Sequence, residues 1–147
     1  MEQKEMIDLL RQVASGTMDV EQAALKLKEE PFEDLGFAKI DHHRAMRQGV
    51  AEVIYGEGKT PEQIFRIAEA MKEKGQKAVL ITRMNKESAL YVGERLELQY
   101  DEVSRIGFIG EAPIKDGDGK IVVATGGTSD IPVAEEAART AEILGNE

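Results

Sequence analysis

The sequence predicts an α/β protein in which a helical hairpin precedes a small α/β domain and the first βα unit of a doubly wound core. Short runs of strand-forming residues alternate with segments whose apolar residues recur at helical spacing. One run, Ala-Val-Leu-Ile-Thr at 78–82, is apolar enough to be covered on both faces, as in a parallel sheet. The alternation implies βαβ crossovers, and we expect domains at 1–30, 31–118 and 119–147.

The first segment is predicted to form the hairpin. Two runs of helical spacing are separated by Ser15-Gly16-Thr17, which favours a turn. Asp19 and Gln22 have the reciprocal capping pattern at the start of the second helix, and Pro31 marks its end.

The middle segment contains the clearest helix start of the chain. Thr60 is expected to cap the helix, Pro61 has the required φ, and Gln63 can reach back to the Thr60 backbone. Gly75 is typical of the left-handed residue that ends a helix. Further helices are predicted over 41–48 and 85–91, and strands over 52–55, 78–82, 96–98 and 106–109.

The last segment follows a stretch at 111–119 that is rich in Gly, Pro and Asp and has no periodicity, so we expect a linker there. A strand is predicted over 120–124, a loop over 125–131 and a helix over 132–144. Because one strand and one helix cannot bury their faces alone, the remainder of this domain is expected beyond Glu147.

Composition excludes several classes of function. The net charge of −9 argues against binding to nucleic acid or anionic lipid. The chain has no cysteine, so it can supply neither a thiolate nucleophile nor a zinc–thiolate site. The charged N-terminus and the lack of a membrane-length apolar run predict a cytoplasmic protein without a membrane span.

The loop before the last helix is the best candidate site. Gly126 and Gly127 would let the backbone approach a phosphate, Thr128 and Ser129 add hydroxyl donors, and Asp130 could accept from a ribose hydroxyl. The alternative is structural, since Ser129 or Asp130 could simply cap the helix.

Three basic residues are weaker candidates. Arg44 and Arg47 would lie on one helical face, where they could clamp a carboxylate or phosphate, or form a solvated basic face. Lys59 could face an anion. His42 and His43 are adjacent and would point in different directions, so the sequence shows no metal site.

Two stretches resemble known families. The Gly-Gly-Thr-Ser-Asp-Ile-Pro-Val-Ala run at 126–134 resembles the phosphate loop of the phosphoribosylaminoimidazole carboxylase fold, with Gly127 where that family has serine. The segments at 39–44, 47–49 and 52–60 resemble the N-terminal domain of the LarB family, the pyridinium-3,5-biscarboxylic acid mononucleotide synthases of nickel-pincer cofactor synthesis. This second resemblance runs through nearly the whole chain.

The resemblance implies carboxylation of nicotinic acid adenine dinucleotide by carbon dioxide or bicarbonate, and hydrolysis of its phosphoanhydride with release of AMP. A cysteine is implied to activate the ring. It would lie beyond Glu147, so this chain alone is expected to be inactive. The full-length protein is expected to form a homo-oligomer, and the sequence leaves open whether a divalent ion such as Mg²⁺ assists.

Two alternatives remain open from the sequence. The first domain could be a non-catalytic interaction or regulatory module, which a large exposed apolar patch would favour. The chain could also belong to an enzyme acting on an aminoimidazole ribonucleotide, although the upstream domain and Gly127 weigh against that substrate.

Overall fold

A computed structural model describes residues 3–27, 32–41, 52–111, 114–115, 117 and 119–146. By its internal contacts the chain divides into two compact units, Met1–Glu52 and Val53–Glu147. The domain boundaries at 30 and 118 stay predictions. The described helices and strands are α1 (Gln3–Ala14), α2 (Val20–Leu27), β1 (Phe32–Asp34), β2 (Lys39–Asp41), β3 (Val53–Tyr55), α3 (Pro61–Glu73), β4 (Ala78–Thr82), α4 (Lys86–Gly93), β5 (Leu98–Asp101), β6 (Ile106–Gly110) and α5 (Ile131–Ile143).

The first unit contains α1, α2 and an antiparallel pair of short strands, β1 and β2. Both helices lie where helical spacing predicts them, and Gly16 has the left-handed φ of 71° that follows many helices. Leu9, Ala23 and Ile40 are buried. The helix predicted over 41–48 starts at Asp41, which instead ends β2, and its other residues lie outside the described part of the chain.

The second unit is built on a four-stranded sheet in the order β3-β4-β6-β5. The predicted parallel pairing is present between β3 and β4, with Tyr55 beside Thr82. It does not extend further, because β6 runs antiparallel to both β4 and β5. Only residues 102–105 connect β5 to β6, and so short a connection forces neighbouring strands to be antiparallel.

Local sequence signals place the helices of this unit. The Gln63 N–H donates to the Thr60 hydroxyl at 3.2 Å and the Thr60 N–H donates to the Gln63 side chain at 3.0 Å, which completes the predicted capping box of α3. Gly75, with φ of 86°, follows the helix as predicted. Within the described ranges, no helix is both long and apolar enough to cross a membrane.

The strand predicted over 120–124 is wrong. These residues form no strand and are exposed, Val122 to 87%. A strand needs a neighbour to pair its N–H and C=O groups, and no described residue provides one. The following helix is present as α5 and begins at Ile131, one residue before the predicted start.

Candidate functional site

The predicted phosphate loop lies at the start of α5, and each of its residues is exposed. Thr128, Ser129 and Asp130 form a turn of 3₁₀ helix, in which the Asp130 N–H donates to the Gly127 carbonyl at 3.1 Å. Asp130 precedes α5 but its carboxylate makes no capping hydrogen bond. The purely structural alternative therefore lacks its expected contact, and the polar side chains of the loop face solvent.

Neither Gly126 nor Gly127 is required by the geometry of the described chain. Both lie outside the left-handed region of φ, where glycine is favoured. A Cβ on Gly126 would meet nothing within 4 Å, and one on Gly127 would meet only side-chain atoms at ordinary distances of 3.6 and 3.8 Å. Packing among the described residues therefore accounts for neither glycine.

A second polar region lies at the carboxyl ends of β3 and β4. Because these strands are parallel, the residues after them meet at one edge of the sheet, where ligands bind in many open α/β folds. The Gly56 N–H donates to the Thr82 carbonyl at 2.7 Å. A Cβ on Gly56 would lie 2.9 Å from that oxygen, so the close approach requires glycine. The Arg105 carbonyl, just before β6, accepts from the Met84 N–H at 2.8 Å.

This edge brings Lys59 together with two arginines that the sequence did not single out. The Lys59 ammonium donates to the Tyr55 carbonyl at 2.7 Å, which leaves two of its protons for another acceptor. The Arg83 guanidinium forms an ion pair with Glu136 of α5 at 2.8 Å, and the Arg105 guanidinium donates to the Arg83 carbonyl at 3.3 Å. We call Lys59, Arg83 and Arg105 the edge cations.

The Tyr55 phenol lies in the same neighbourhood and donates a short hydrogen bond to Glu57. This hydrogen bond raises the pKa of Tyr55 above its ordinary value, while the positive charge of Arg83 acts in the opposite direction. The phenol therefore remains a protonated donor at neutral pH.

Other predicted residues are not placed at either region. Arg44 and Arg47 lie outside the described residues. The described residues include no group of three or more His, Asp or Glu side chains that could hold a metal ion.

A cavity of about 410 Å³ lies between α5 and the β5–β6 pair. Ile106, Phe108 and Ile143 give it apolar walls. Arg139 also lines it, held by Glu142 at 3.0 Å and by Asp101 at 3.7 Å. Lys115 is the second cation of the lining, and Asp101 and Glu142 are two carboxylates in the same lining. Because these charges balance, we assign no ligand to this cavity.

Asp101 organises the turn between β5 and β6. Its carboxylate accepts from the Ser104 hydroxyl at 2.8 Å and from the Val103 N–H at 3.1 Å. The Ser104 hydrogen bond is the main reason that the pKa of Asp101 lies below its ordinary value of 3.8. A lowered pKa means that this interaction stabilises the fold above pH 3.8 and is lost as the pH falls through the folded-state pKa.

Replacing Ser104 with alanine is expected to lower the free energy of unfolding at pH 7 by about 1.5 kcal/mol, since a hydrogen bond to a charged group is removed. Urea denaturation across a pH series measures this, and the difference from the unmodified protein should narrow below pH 3.8. Ser88→Ala is the matched control, because Ser88 is equally buried and its hydroxyl has no partner among the described residues. Equal losses in the two variants would contradict the role of the Asp101 contact.

Comparison with known proteins gives two matches. The sequence model of a family described as the LarB/PurE-like N-terminal domain matches residues 32–111, more than half of the chain. An uncharacterized protein of Methanocaldococcus jannaschii is 30% identical over 151 aligned positions, which cover 98% of this chain and 59% of the relative. The chain thus spans about three fifths of the length of that relative.

Proposed function

Since the chain belongs to the LarB family through its LarB/PurE-like N-terminal domain, we propose that it is part of a carboxylase and hydrolase acting on nicotinic acid adenine dinucleotide. Carbon dioxide or bicarbonate would supply the second ring carboxylate, and hydrolysis of the phosphoanhydride would release AMP. An electron-poor pyridinium ring needs a nucleophile to activate it for attack on carbon dioxide. This chain has no cysteine for that step, so a thiolate that activates the ring would have to come from outside the chain.

Within this chain, the proposed role of residues 126–130 is to hold the mononucleotide half of the substrate. The Ile131 N–H donates to the Thr128 carbonyl and Pro132 has no N–H. The phosphate would therefore lie against the backbone of the glycine-containing loop and not against the first turn of α5. Thr128 and Ser129 would add hydroxyl donors to the same phosphate. Asp130 would accept from a ribose hydroxyl, since a carboxylate is an acceptor.

The observation that carries this proposal is the glycine at 126, which is followed by a second glycine at 127. Neither the turn nor the packing of the described residues needs glycine there. A phosphate lying against the backbone favours glycine at 126, because a Cβ there would keep the phosphate oxygens away from the N–H groups. The related phosphate loop has serine at the position of Gly127, so the argument depends on Gly126.

An NMR titration of the chain with nicotinic acid adenine dinucleotide tests the proposal. We expect saturable shifts at residues 126–130, and about tenfold weaker binding by Gly126→Ala, since the added Cβ would keep a phosphate from the backbone N–H groups. Gly93→Ala is the matched control, because a Cβ at Gly93 also meets nothing within 4 Å. A folded protein whose loop does not shift, or equal affinities of the two variants, would contradict this use of the loop.

The same titration with an aminoimidazole ribonucleotide separates the two candidate substrates. Shifts at residues 126–130 that are larger and saturate earlier with the aminoimidazole compound would assign the chain to that carboxylase reaction instead.

A non-catalytic interaction role is the second candidate, and one observation favours it. The first unit exposes several large apolar side chains on its two helices, namely Ile7, Leu10, Val20 and Leu25. Exposed apolar groups of this kind are typical of protein contact surfaces. In that case the nucleotide would shift no residues, while addition of the C-terminal part of a longer relative would shift those of α1 and α2.

A further inference from the structure

Arg83 and Arg105 have φ angles of 53° and 55°, and no other non-glycine residue among those described has a positive φ. The left-handed conformation is unfavourable for residues with a Cβ, and glycine occupies it elsewhere in this chain. Both positions therefore retain an arginine side chain at a conformational cost. Such outliers concentrate at binding and catalytic sites.

The two strained residues lie beside each other. Arg83 follows β4 and Arg105 precedes β6, and the ends of these antiparallel strands are joined by the hydrogen bond from the Met84 N–H to the Arg105 carbonyl. The Arg105 guanidinium reaches the Arg83 carbonyl. Lys59 approaches from β3 through its bond to the Tyr55 carbonyl, and the Arg83 charge acts on the Tyr55 phenol. Arg83 is paired with Glu136, whereas no described carboxylate forms an ion pair with Lys59 or Arg105.

Glu136 shows how an oxyanion binds at this edge. Its two carboxylate oxygens lie 3.1 and 2.8 Å from Arg83 Nε. An arginine has five N–H donors, and no described residue accepts from the two terminal nitrogens of Arg83. The Arg83 side chain is 36% exposed, so a ligand from solvent can reach those nitrogens. Phosphates and carboxylates both match the planar donor fork of arginine.

The position of Glu136 relates this edge to the predicted phosphate loop. Glu136 lies on α5, whose rise of about 1.5 Å per residue puts it about 9 Å along the helix axis from Asp130. A single extended ligand with two anionic groups is therefore long enough to contact both regions.

We propose that the edge cations form a second oxyanion-binding subsite, which takes a phosphate or carboxylate group of a small-molecule ligand, and that the Glu136 carboxylate occupies Arg83 until this ligand displaces it. The subsite is separate from residues 126–130 and does not depend on the proposed reaction. The competing explanation is that the ion pair between Arg83 and Glu136 only stabilises the packing of α5 against the sheet.

A titration with two simple probes distinguishes these explanations. Inorganic phosphate and nicotinate are added separately to the full chain at low ionic strength, and amide shifts are followed by NMR. We expect saturable shifts at residues 56, 82–84 and 105. Glu136→Gln should tighten binding of the probe about fivefold, the contribution of a partly exposed ion pair. Arg83→Gln should abolish the shifts, and Arg83→Lys should weaken them if the glutamine variant does not fold.

Glu142→Gln is the matched control, because Glu142 is also on α5 and also pairs with an arginine, Arg139, at 3.0 Å. It should bind like the unmodified protein. Shifts with phosphate alone would identify a phosphate ligand, and shifts with nicotinate alone a carboxylate ligand. The proposal is overturned if neither probe shifts the edge, or if Glu136→Gln and Glu142→Gln bind equally. Shifts confined to residues 126–130 would also overturn it while leaving the proposed function intact.

Discussion

Replacing Gly110 with alanine is expected to lower the free energy of unfolding by about 4 kcal/mol, the combined cost of a strained backbone and an overpacked contact. Gly110 has φ of 112°, where residues with a Cβ are strongly disfavoured. A Cβ there would overlap the Lys77 carbonyl oxygen and lie 3.1 Å from Ala78 Cα. Both are backbone atoms, one in the residue before β4 and one in its first residue, so no side-chain rotation can relieve the clash.

Urea denaturation followed by circular dichroism measures this loss. Gly93→Ala again serves as the control, because Gly93 has neither a positive φ nor a close contact and should be unaffected or slightly stabilised. A loss below about 1 kcal/mol in Gly110→Ala would mean that the end of β6 is not held against β4 as described. The position of β6 matters for the site because Arg105 lies directly before its other end.

Elements that depend on local chemistry were predictable from the sequence. The capping box at Thr60 and the apolar run of β4 each contain their own determinants within a few residues. The order of the sheet was not predictable in the same way, because pairing of β4 with β6 rather than with β5 joins residues that are distant in sequence. The sequence pattern predicts that β6 is a strand but not which strands it pairs with.

The wrong prediction of a strand at 120–124 also arises because strand pairing depends on residues distant in sequence. Its residues have strong strand propensity, but propensity without a pairing partner does not make a strand. The exposed side chains of Ile121 and Val122 are consistent with a segment that pairs with residues outside the described chain.

The candidate sites also contain residues that the sequence marks and residues that it does not. Glycines and hydroxyls mark residues 126–130 in the sequence, and the contacts of Lys59 place it at a sheet edge that the βα pattern already suggests. Arg83 and Arg105 carry no such signal, because no rule of sequence places arginine in the left-handed region. Roles for Arg44 and Arg47 stay predictions.

Met84 links the packing of the sheet to the edge cations, and replacing it should lower the stability of the protein. Its side chain is fully buried. Its N–H bonds the Arg105 carbonyl, and its own carbonyl accepts from the Tyr100 hydroxyl at 3.0 Å. Met84→Ala should lower the free energy of unfolding by about 3 kcal/mol through the cavity that it leaves.

Gly107 supplies a test of that packing by a double-mutant cycle. A Cβ on Gly107 would lie 2.6 Å from the Met84 sulfur, so Gly107→Ala alone should cost about 2 kcal/mol by overpacking. In Met84→Ala the sulfur is gone and the new methyl group fills part of the cavity. The double variant should therefore lose at least about 1 kcal/mol less than the sum of the single losses in urea denaturation. Strict additivity would contradict the contact. A phosphate titration of the same two variants tests whether this packing also supports the oxyanion subsite. If the double variant binds phosphate better than Met84→Ala alone does, then filling the cavity restores the position of the Arg105 backbone.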